Sequence, residues 1–516
     1  MNRLLPSFPV ALVSAALLAA ASAQQTNETI ELFRPAAWPA GRVPAEAAAL
    51  PVVVNRALLD QLAAADPIRL ALSADTIVEG VVSRIEKRSA ARYSVFGRFE
   101  DDPEGFFIIV VEEDVAVGMF QLPSRLEAFR LGYVADGVHS IAPIDPTSFG
   151  ECATEEVPAP GQPAAVVPGG PAPLLDPHAP PPDEEPAPPT DNGAGERDDD
   201  LRGGCPAPPR HFDAMIYYTP AARVEAGGTS AILAECQLAV DTTNQTYMNS
   251  GIPGRMALVF RGEISYSETN DVGTDRDRLR DPGDGIMDNV HGERNTYGAD
   301  FVCLFVDGSD PDNCGIAYCL PPDSSWGFCV VQRGCASSNF SFPHEIGHLQ
   351  GCAHNREDAG TGCNYYCDSY GHRFTGNTGF WRTVMSYNDD AGTFMRIGWF
   401  SNPLVNFDGV PTGASGDCDT STNNAGTIFG TTPGREDWRN PRFEVWVDFG
   451  QPFPWDGTYQ NPWPTLALGI SGVYGGADTP LTQPRLIIKA GTSLETPTIS
   501  KPMRIEACGG TVRIGG

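Results

Sequence analysis

PHEIGHLQGCAHN, residues 343–355, governs how the rest of this chain is read. The protein has eight histidines in 516 residues, and His344, His348 and His354 all fall in this one stretch. His344 and His348 are four positions apart, so a helix projects both imidazoles from one face, one turn above the other. Two nitrogens placed that way can share one tetrahedral zinc ion. Glu345 follows the first histidine and points off the ligand row. Its carboxylate can therefore take a proton from a zinc-bound water while coordination stays with nitrogen. Gly351 tolerates positive φ and commonly ends a helix, which lets the chain turn back and bring His354 to the same metal. Three neutral imidazoles leave a fourth position open, as a catalytic zinc site requires and a closed structural site does not. Histidines on a helix are more often ordinary surface or core side chains. In a chain this poor in histidine, however, the full pattern arises by chance only about once in a hundred thousand sequences.

The two ends and the composition set the context. Arg3, an apolar run over 10–21 and the small residues Ala21-Ser22-Ala23 before Gln24 read as an export signal. That run is too short to span a bilayer, and no later stretch reaches about 18 unbroken apolar residues, so a membrane span is not expected. An exported chain meets oxidising conditions, which gives meaning to thirteen cysteines, eleven of them between Cys205 and Cys418. The odd count leaves at least one thiol outside any intrachain pairing. Cys319 and Cys329 flank PPDSSWG and are expected to bridge a hairpin. A formal charge of −30 disfavours nucleic acid as a partner.

The segment 158–204, dominated by Pro, Ala, Gly and acids, is expected to be an extended linker open to proteases, with Arg197 and Arg202 as candidate processing points. Before it, TIVEGVVSRI, RYSVFGRF, GFFIIVVEE and VAVGMFQL predict a mainly β domain over 24–157, separated by turn signals such as DDPEG. After it, FDAMIYYT predicts a strand, 230–249 a helix with Leu233, Cys236, Val240, Thr243 and Tyr247 on one face, and RMALVFRGEISYS a second strand. ADFVCLFV, GIAYCL and WGFCVVQ add three more just upstream of the histidine helix. The pattern predicts an α+β fold, a mixed sheet with long helices packed on it. From about 442, EVWVDFG, PRLIIKAG, PTISKPMRIEA and GTVRIGG predict short strands compatible with a small β-solenoid.

His344-Glu345-x-x-His348-x-x-Gly351-x-x-His354 resembles the full zinc signature of the metzincin proteases, and TVMSY (383–387) resembles that clan's methionine turn, with Met385 as its methionine. Within the clan the sequence is most similar to secreted reprolysin-like metallopeptidases of bacterial type. The likeness rests on IYYTPAA, NQTYMNSGI, YGADFVCLFV, CGIAYC and WFSNPLVNFDGVPTG and covers roughly 210–435. It implies zinc ligands His344, His348 and His354, general base Glu345, and a metzincin-type catalytic domain over 205–438. A propeptide over 24–157 would precede this domain, and a β module over 439–516 would follow it. Tyr387 stands where several branches place a tyrosine on the metal or the oxyanion; a buried structural tyrosine is the competing reading. Asn355 departs from the aspartate many reprolysins carry there. If the twelve cysteines other than Cys152 form six disulfides, Cys152 is left over. It could then occupy the open zinc position as cysteine switches do, or else pair within or across domains.

The function expected is a secreted zinc endopeptidase made as a zymogen, with protein or peptide substrates pairing along the GIAYC to FCVVQ edge. The alternatives are a non-catalytic surface or adhesion protein using the zinc fold as a scaffold, and a zinc hydrolase acting on something other than protein. Calcium could sit at DPGDGIMD (281–288), although such carboxylates also form turns and helix caps. A monomer is the working state.

Overall fold

The apolar runs of the N-terminal third all become strands: Ile77–Lys87, Arg92–Phe99, Asp102–Glu112 and Val115–Leu122. This computed structural model describes residues 30–42, 48–145, 149–156, 205 and 210–515, apart from 309, 311, 320–322, 361–362, 390, 437 and 476–482. The expected export signal and the Pro-rich segment with Arg197 and Arg202 lie outside the described residues. The four strands sit in a ten-stranded sheet, antiparallel throughout except where Ile30–Glu31 runs parallel to Pro67–Ala71 at one edge. One face carries Val95, Phe107, Ile109, Val111 and Phe120 into a core of its own. The other carries Phe96, Phe106, Ile108, Val110, Val117 and Met119 into a second core shared with the long helix Thr229–Asn249. Burial on both faces explains why these strands read as continuous apolar runs rather than as alternation.

A second sheet of six strands has the order Glu151–Glu156, Asn313–Cys319, Phe328–Gln332, Phe301–Val306, Arg210–Tyr218, Gly254–Glu263. Neighbours are parallel except Asn313–Cys319 with Phe328–Gln332. The helix Thr229–Asn249 is the crossover between the parallel strands Arg210–Tyr218 and Gly254–Glu263, and Gly251, at φ 69°, turns the chain after it. It lies between the two sheets. Ala231, Ile232, Ala234 and Leu238 are therefore buried along with the expected Cys236, Val240, Thr243 and Tyr247. The fold is mixed α/β, with helices few and packed on sheets.

Three parallel strands, Glu444–Val447, Arg485–Ser493 and Arg504–Ile514, make a last sheet over a small core of Val445, Val447, Leu466, Ile470, Leu486 and Ile488. The two final strands expected at 497–507 and 510–516 are one. Gly509 and Gly510 have φ 73° and 145°, and the ladder shifts register opposite them, so the chain passes a bulge instead of turning.

The disulfides differ from expectation. Four pairs form, Cys205–Cys508, Cys314–Cys335, Cys319–Cys363 and Cys367–Cys418, and Cys152, Cys236, Cys303, Cys329 and Cys352 stay free and buried. Cys319 does not bridge to Cys329, because the register sets Cys329 opposite Ala317. That leaves the two cysteines diagonal neighbours, about 7–8 Å apart, beyond the reach of a disulfide. The expected sextet fails because Cys236, Cys303, Cys329 and Cys352 serve as small apolar side chains inside the core. Among the described residues, no helix is long and apolar enough to cross a membrane.

Candidate active site and metal centre

The helix Ser341–Leu349 runs beneath the Asn313–Cys319 edge with every residue buried. Its rotation about its own axis is set from below. A Cβ on Gly347 would lie 2.5 Å from Met385 Sδ and 3.1 Å from Phe400, so only glycine lets the turn around Met385 approach this closely. Gly351, at φ 95°, reverses the chain, with Cys352 N–H donating to Gly347 O at 2.9 Å. His354 then returns on the short strand Ala353–Asn355.

These constraints bring the three expected histidines together. The Nε2 atoms of His344, His348 and His354 form a triangle with sides of 3.0–3.1 Å, and all three side chains are buried. His344 Nδ1 lies 2.8 Å from Val384 O and His348 Nδ1 2.9 Å from Cys352 O. A carbonyl oxygen can only accept, so in both rings Nδ1 carries the proton and Nε2 presents a lone pair. Burial, reinforced for His344 and His354 by the neighbouring rings, holds all three well below the ordinary histidine range, His348 at about 3. Neutral lone pairs converging at this spacing repel unless a cation lies among them. Ligand nitrogens about 2.0–2.1 Å from one zinc ion approach one another to about this distance. The donor set therefore fits a metal, and the carbonyl partners at Nδ1 orient the rings for it.

Glu345 is fully buried, and neither carboxylate oxygen has a hydrogen-bond partner. The polar side chain that faces it is the Cys152 thiol, a weak donor. Burial pushes its pKa well above the usual carboxylate range. The space it occupies is left by Gly315 on the edge strand, where a Cβ would lie 2.8 Å from Glu345 Oε1. Gly315 carried no sequence signal of its own, and only its sheet position reveals the role.

The Tyr387 ring packs against His354 at a 38° tilt with centroids 3.9 Å apart, and Asn355 Oδ1 accepts from the Tyr387 backbone N–H at 2.9 Å. The Tyr387 hydroxyl donates to Cys152 O. Cys152 itself is buried opposite Gly315, its Sγ within 4.8 Å of a His344 nitrogen and a Glu345 oxygen. The strand Glu151–Glu156 thus fills the edge expected to receive substrate. Glu151 meets two arginines, Arg382 and Arg396, that sequence reading did not single out. In 281–288 the acids act as turn formers: Asp281 accepts from Gly283 N–H at 3.0 Å and Asp284 from Ile286 N–H at 2.7 Å. Among the described residues, these acids join neither of the donor clusters suited to an ion.

Three neutral imidazoles and a free carboxylate against a sheet edge that accepts an extended chain are the parts of a metallopeptidase centre. Residues 209–411 match the model of the metallo-peptidase family M12B, reprolysin-like. A peptidyl-Asp metalloendopeptidase of Stenotrophomonas maltophilia (strain K279a) is 36% identical over 213 residues, 41% of this chain and 49% of that protein. Its namesake in Xanthomonas campestris pv. campestris is 36% identical over 212 residues, 41% and 48% of the two chains. One from Pseudomonas fragi is 30% identical over 166 residues, 32% of this chain and 85% of that protein. The chain belongs to the reprolysin-like metallopeptidases. It spans about half the length of the first two relatives.

Proposed function

We propose that this protein is an exported zinc endopeptidase made as a zymogen, and that it acts at aspartate residues as the names of its relatives indicate. The observation that carries the reading is the buried triangle of Nε2 atoms beside the fully buried Glu345 carboxylate. His344, His348 and His354 would hold the metal. Zinc, when bound, supplies Lewis acidity, lowering the pKa of water to about 7 and polarising a carbonyl. Glu345 takes the proton of the attacking water and returns it to the leaving amine. The Tyr387 hydroxyl, which now donates to a backbone carbonyl, turns to the substrate carbonyl as it gains negative charge. The edge strand Asn313–Cys319 pairs with the substrate backbone. In this reading 24–157 is the propeptide, 158–204 the cleaved linker, 205–438 the catalytic part and 439–516 an accessory β module. The four disulfides suit an oxidising compartment.

Casein digestion by the processed protein tests the reading. Activity is expected to vanish with a chelator and to return with one equivalent of zinc, and digestion that persists in metal-free protein rejects it. Gly315→Ala should lower kcat/KM by roughly 10²-fold through displacement of the Glu345 carboxylate, with zinc content unchanged.

Latency follows from the same geometry. Cys152 would join the three histidines on the metal in the unprocessed chain, with its strand blocking the edge. Unprocessed Cys152→Ala is expected to digest peptide where the unprocessed wild type does not. X-ray absorption of the unprocessed wild type should give one sulfur at about 2.3 Å; absence of that scatterer removes the switch.

A further inference from the structure

We propose that the strand Arg504–Ile514 is a self-association surface, where two copies of this chain pair antiparallel about a two-fold axis between Gly509 and Gly510. This surface lies in the last sheet and owes nothing to the peptidase reading. The strand is the edge of a three-stranded parallel sheet, and among the described residues no strand pairs with its outer side. Parallel sheets are normally covered, and long open edges are normally blunted by proline, lysine or shortness. Here the edge runs for 11 residues, RIEACGGTVRI, with neither proline nor lysine in it. Its centre is held in place, because Cys508 is bonded to Cys205. Two large apolar side chains stand in the open on it, Ile505 at 41% exposure and Ile514 at 45%.

The backbone decides which residues bond outward. Arg504 N–H donates inward to Pro484 O at 2.8 Å, and Gly515 N–H donates inward to Ser493 O at 3.0 Å. Strand residues alternate in this respect. Before the bulge, then, Ile505 and Ala507 turn their N–H and C=O groups outward, and after it Val512 and Ile514 do. Side chains divide the same way. Ile505 lies opposite Leu486 of the small core and Val512 packs on that core, which puts Ile505, Ala507, Val512 and Ile514 on one face. Glu506 and Arg513 take the other.

One antiparallel register uses all of this. With the axis between Gly509 and Gly510, Ile505 meets Ile514 of the second copy and Ala507 meets its Val512, each pair with outward backbone groups to exchange. Glu506 then meets Arg513 of the second copy at the closely spaced position between them, where opposite charges attract. Arg513 makes no ion pair within its own chain among the described residues, whereas Glu506 lies 3.0 Å from Arg504 and 3.7 Å from Arg485. Sliding the ladder by two residues one way sets Arg504 against Arg513. Sliding it the other way sets Arg513 against the disulfide-bonded Cys508. The two-fold repeats every contact, giving about eight backbone hydrogen bonds and an ion pair on either side of the axis. The opposite edge of the sheet is taken, since Val447 bridges Trp463, so association closes at the dimer.

Sedimentation velocity of the full chain tests this, and a reversible monomer–dimer equilibrium is expected between about 1 and 100 µM. Arg513→Glu sets two carboxylates opposite each other and should raise the dimer Kd at least about tenfold, while Arg513→Lys should stay within about threefold. Arg513 is exposed and has no ion pair in its own chain, so neither change disturbs folding. A second measurement reads the register. Ile505→Cys and Ile514→Cys proteins, mixed and treated with a short bis-maleimide, should give a covalent dimer, and neither protein should do so alone. A chain that stays monomeric up to about 100 µM overturns the surface. So does a dimer indifferent to Arg513→Glu, or a mixture of the two cysteine proteins that cross-links no better than either one alone.

Discussion

Changing Glu345 to Gln is expected to leave the three imidazoles and their zinc in place and to lower kcat for peptide hydrolysis by about 10²–10⁴-fold. The amide fills the volume that Gly315 and the helix leave for the carboxylate, so packing around the site is preserved. What it lacks is a site that can accept a proton from water and release it to the amine. In the proposed reading the substrate backbone pairs with the edge strand and not with Glu345, so KM should change little and the loss should appear in kcat. His348→Ala is the useful contrast, because it removes a ligand and should abolish metal binding and turnover together. Metal analysis alongside single-turnover kinetics separates the two. A zinc-loaded Glu345→Gln variant with turnover within a few-fold of wild type would leave the carboxylate without its proposed role.

The parts of the site that sequence made legible are those fixed by local spacing. The offsets among His344, Glu345, His348, Gly351 and His354 translate into one helix turn and one chain reversal, so their convergence needs no long-range information. The strands of the N-terminal sheet are legible for a similar reason, since each is an apolar run bounded by turn residues. The meeting of Glu151 with Arg382 and Arg396 is not legible in this way. Glu151 lies 231 residues from Arg382 and 245 from Arg396 in sequence. Nothing at 382 or 396 distinguishes either arginine from any other until the sheet edge, the turn at 383–387 and the added strand are assembled. Cysteine pairing failed for the opposite reason. Thirteen cysteines suggest staples, but a thiol in a tight core packs like a small hydrocarbon. Composition cannot tell Cys329, facing the core, from Cys319, facing Cys363. The long helix buries more than the one stripe its spacing predicts, because a single stripe suffices for one sheet and this helix is covered by two.

That second covering leads to the other large expected effect, on stability. Glu112 ends a strand of the N-terminal sheet, and its carboxylate lies 2.7 Å from the guanidinium of Arg261, on the outermost strand of the six-stranded sheet. Arg92 reaches the other oxygen at 3.0 Å. The Glu112 and Arg261 side chains are 2% and 4% exposed, so water cannot replace either partner. Glu112→Ala would leave the Arg261 guanidinium, which also donates to Leu233 O, without its counter-charge at the junction of the two sheets and should lower the unfolding free energy of the full chain by about 3–5 kcal/mol. The neighbouring Glu113 also pairs with Arg92 at 3.2 Å but is 51% exposed, and Glu113→Ala should cost about 0–1 kcal/mol. Urea titrations of the two variants decide the matter. Equal midpoints would mean that the sheets are held together by the apolar contacts of Phe96, Phe106, Ile108 and Met119 with the helix alone. A large gap would mean that a charge pair needing both halves holds the N-terminal sheet to the six-stranded sheet.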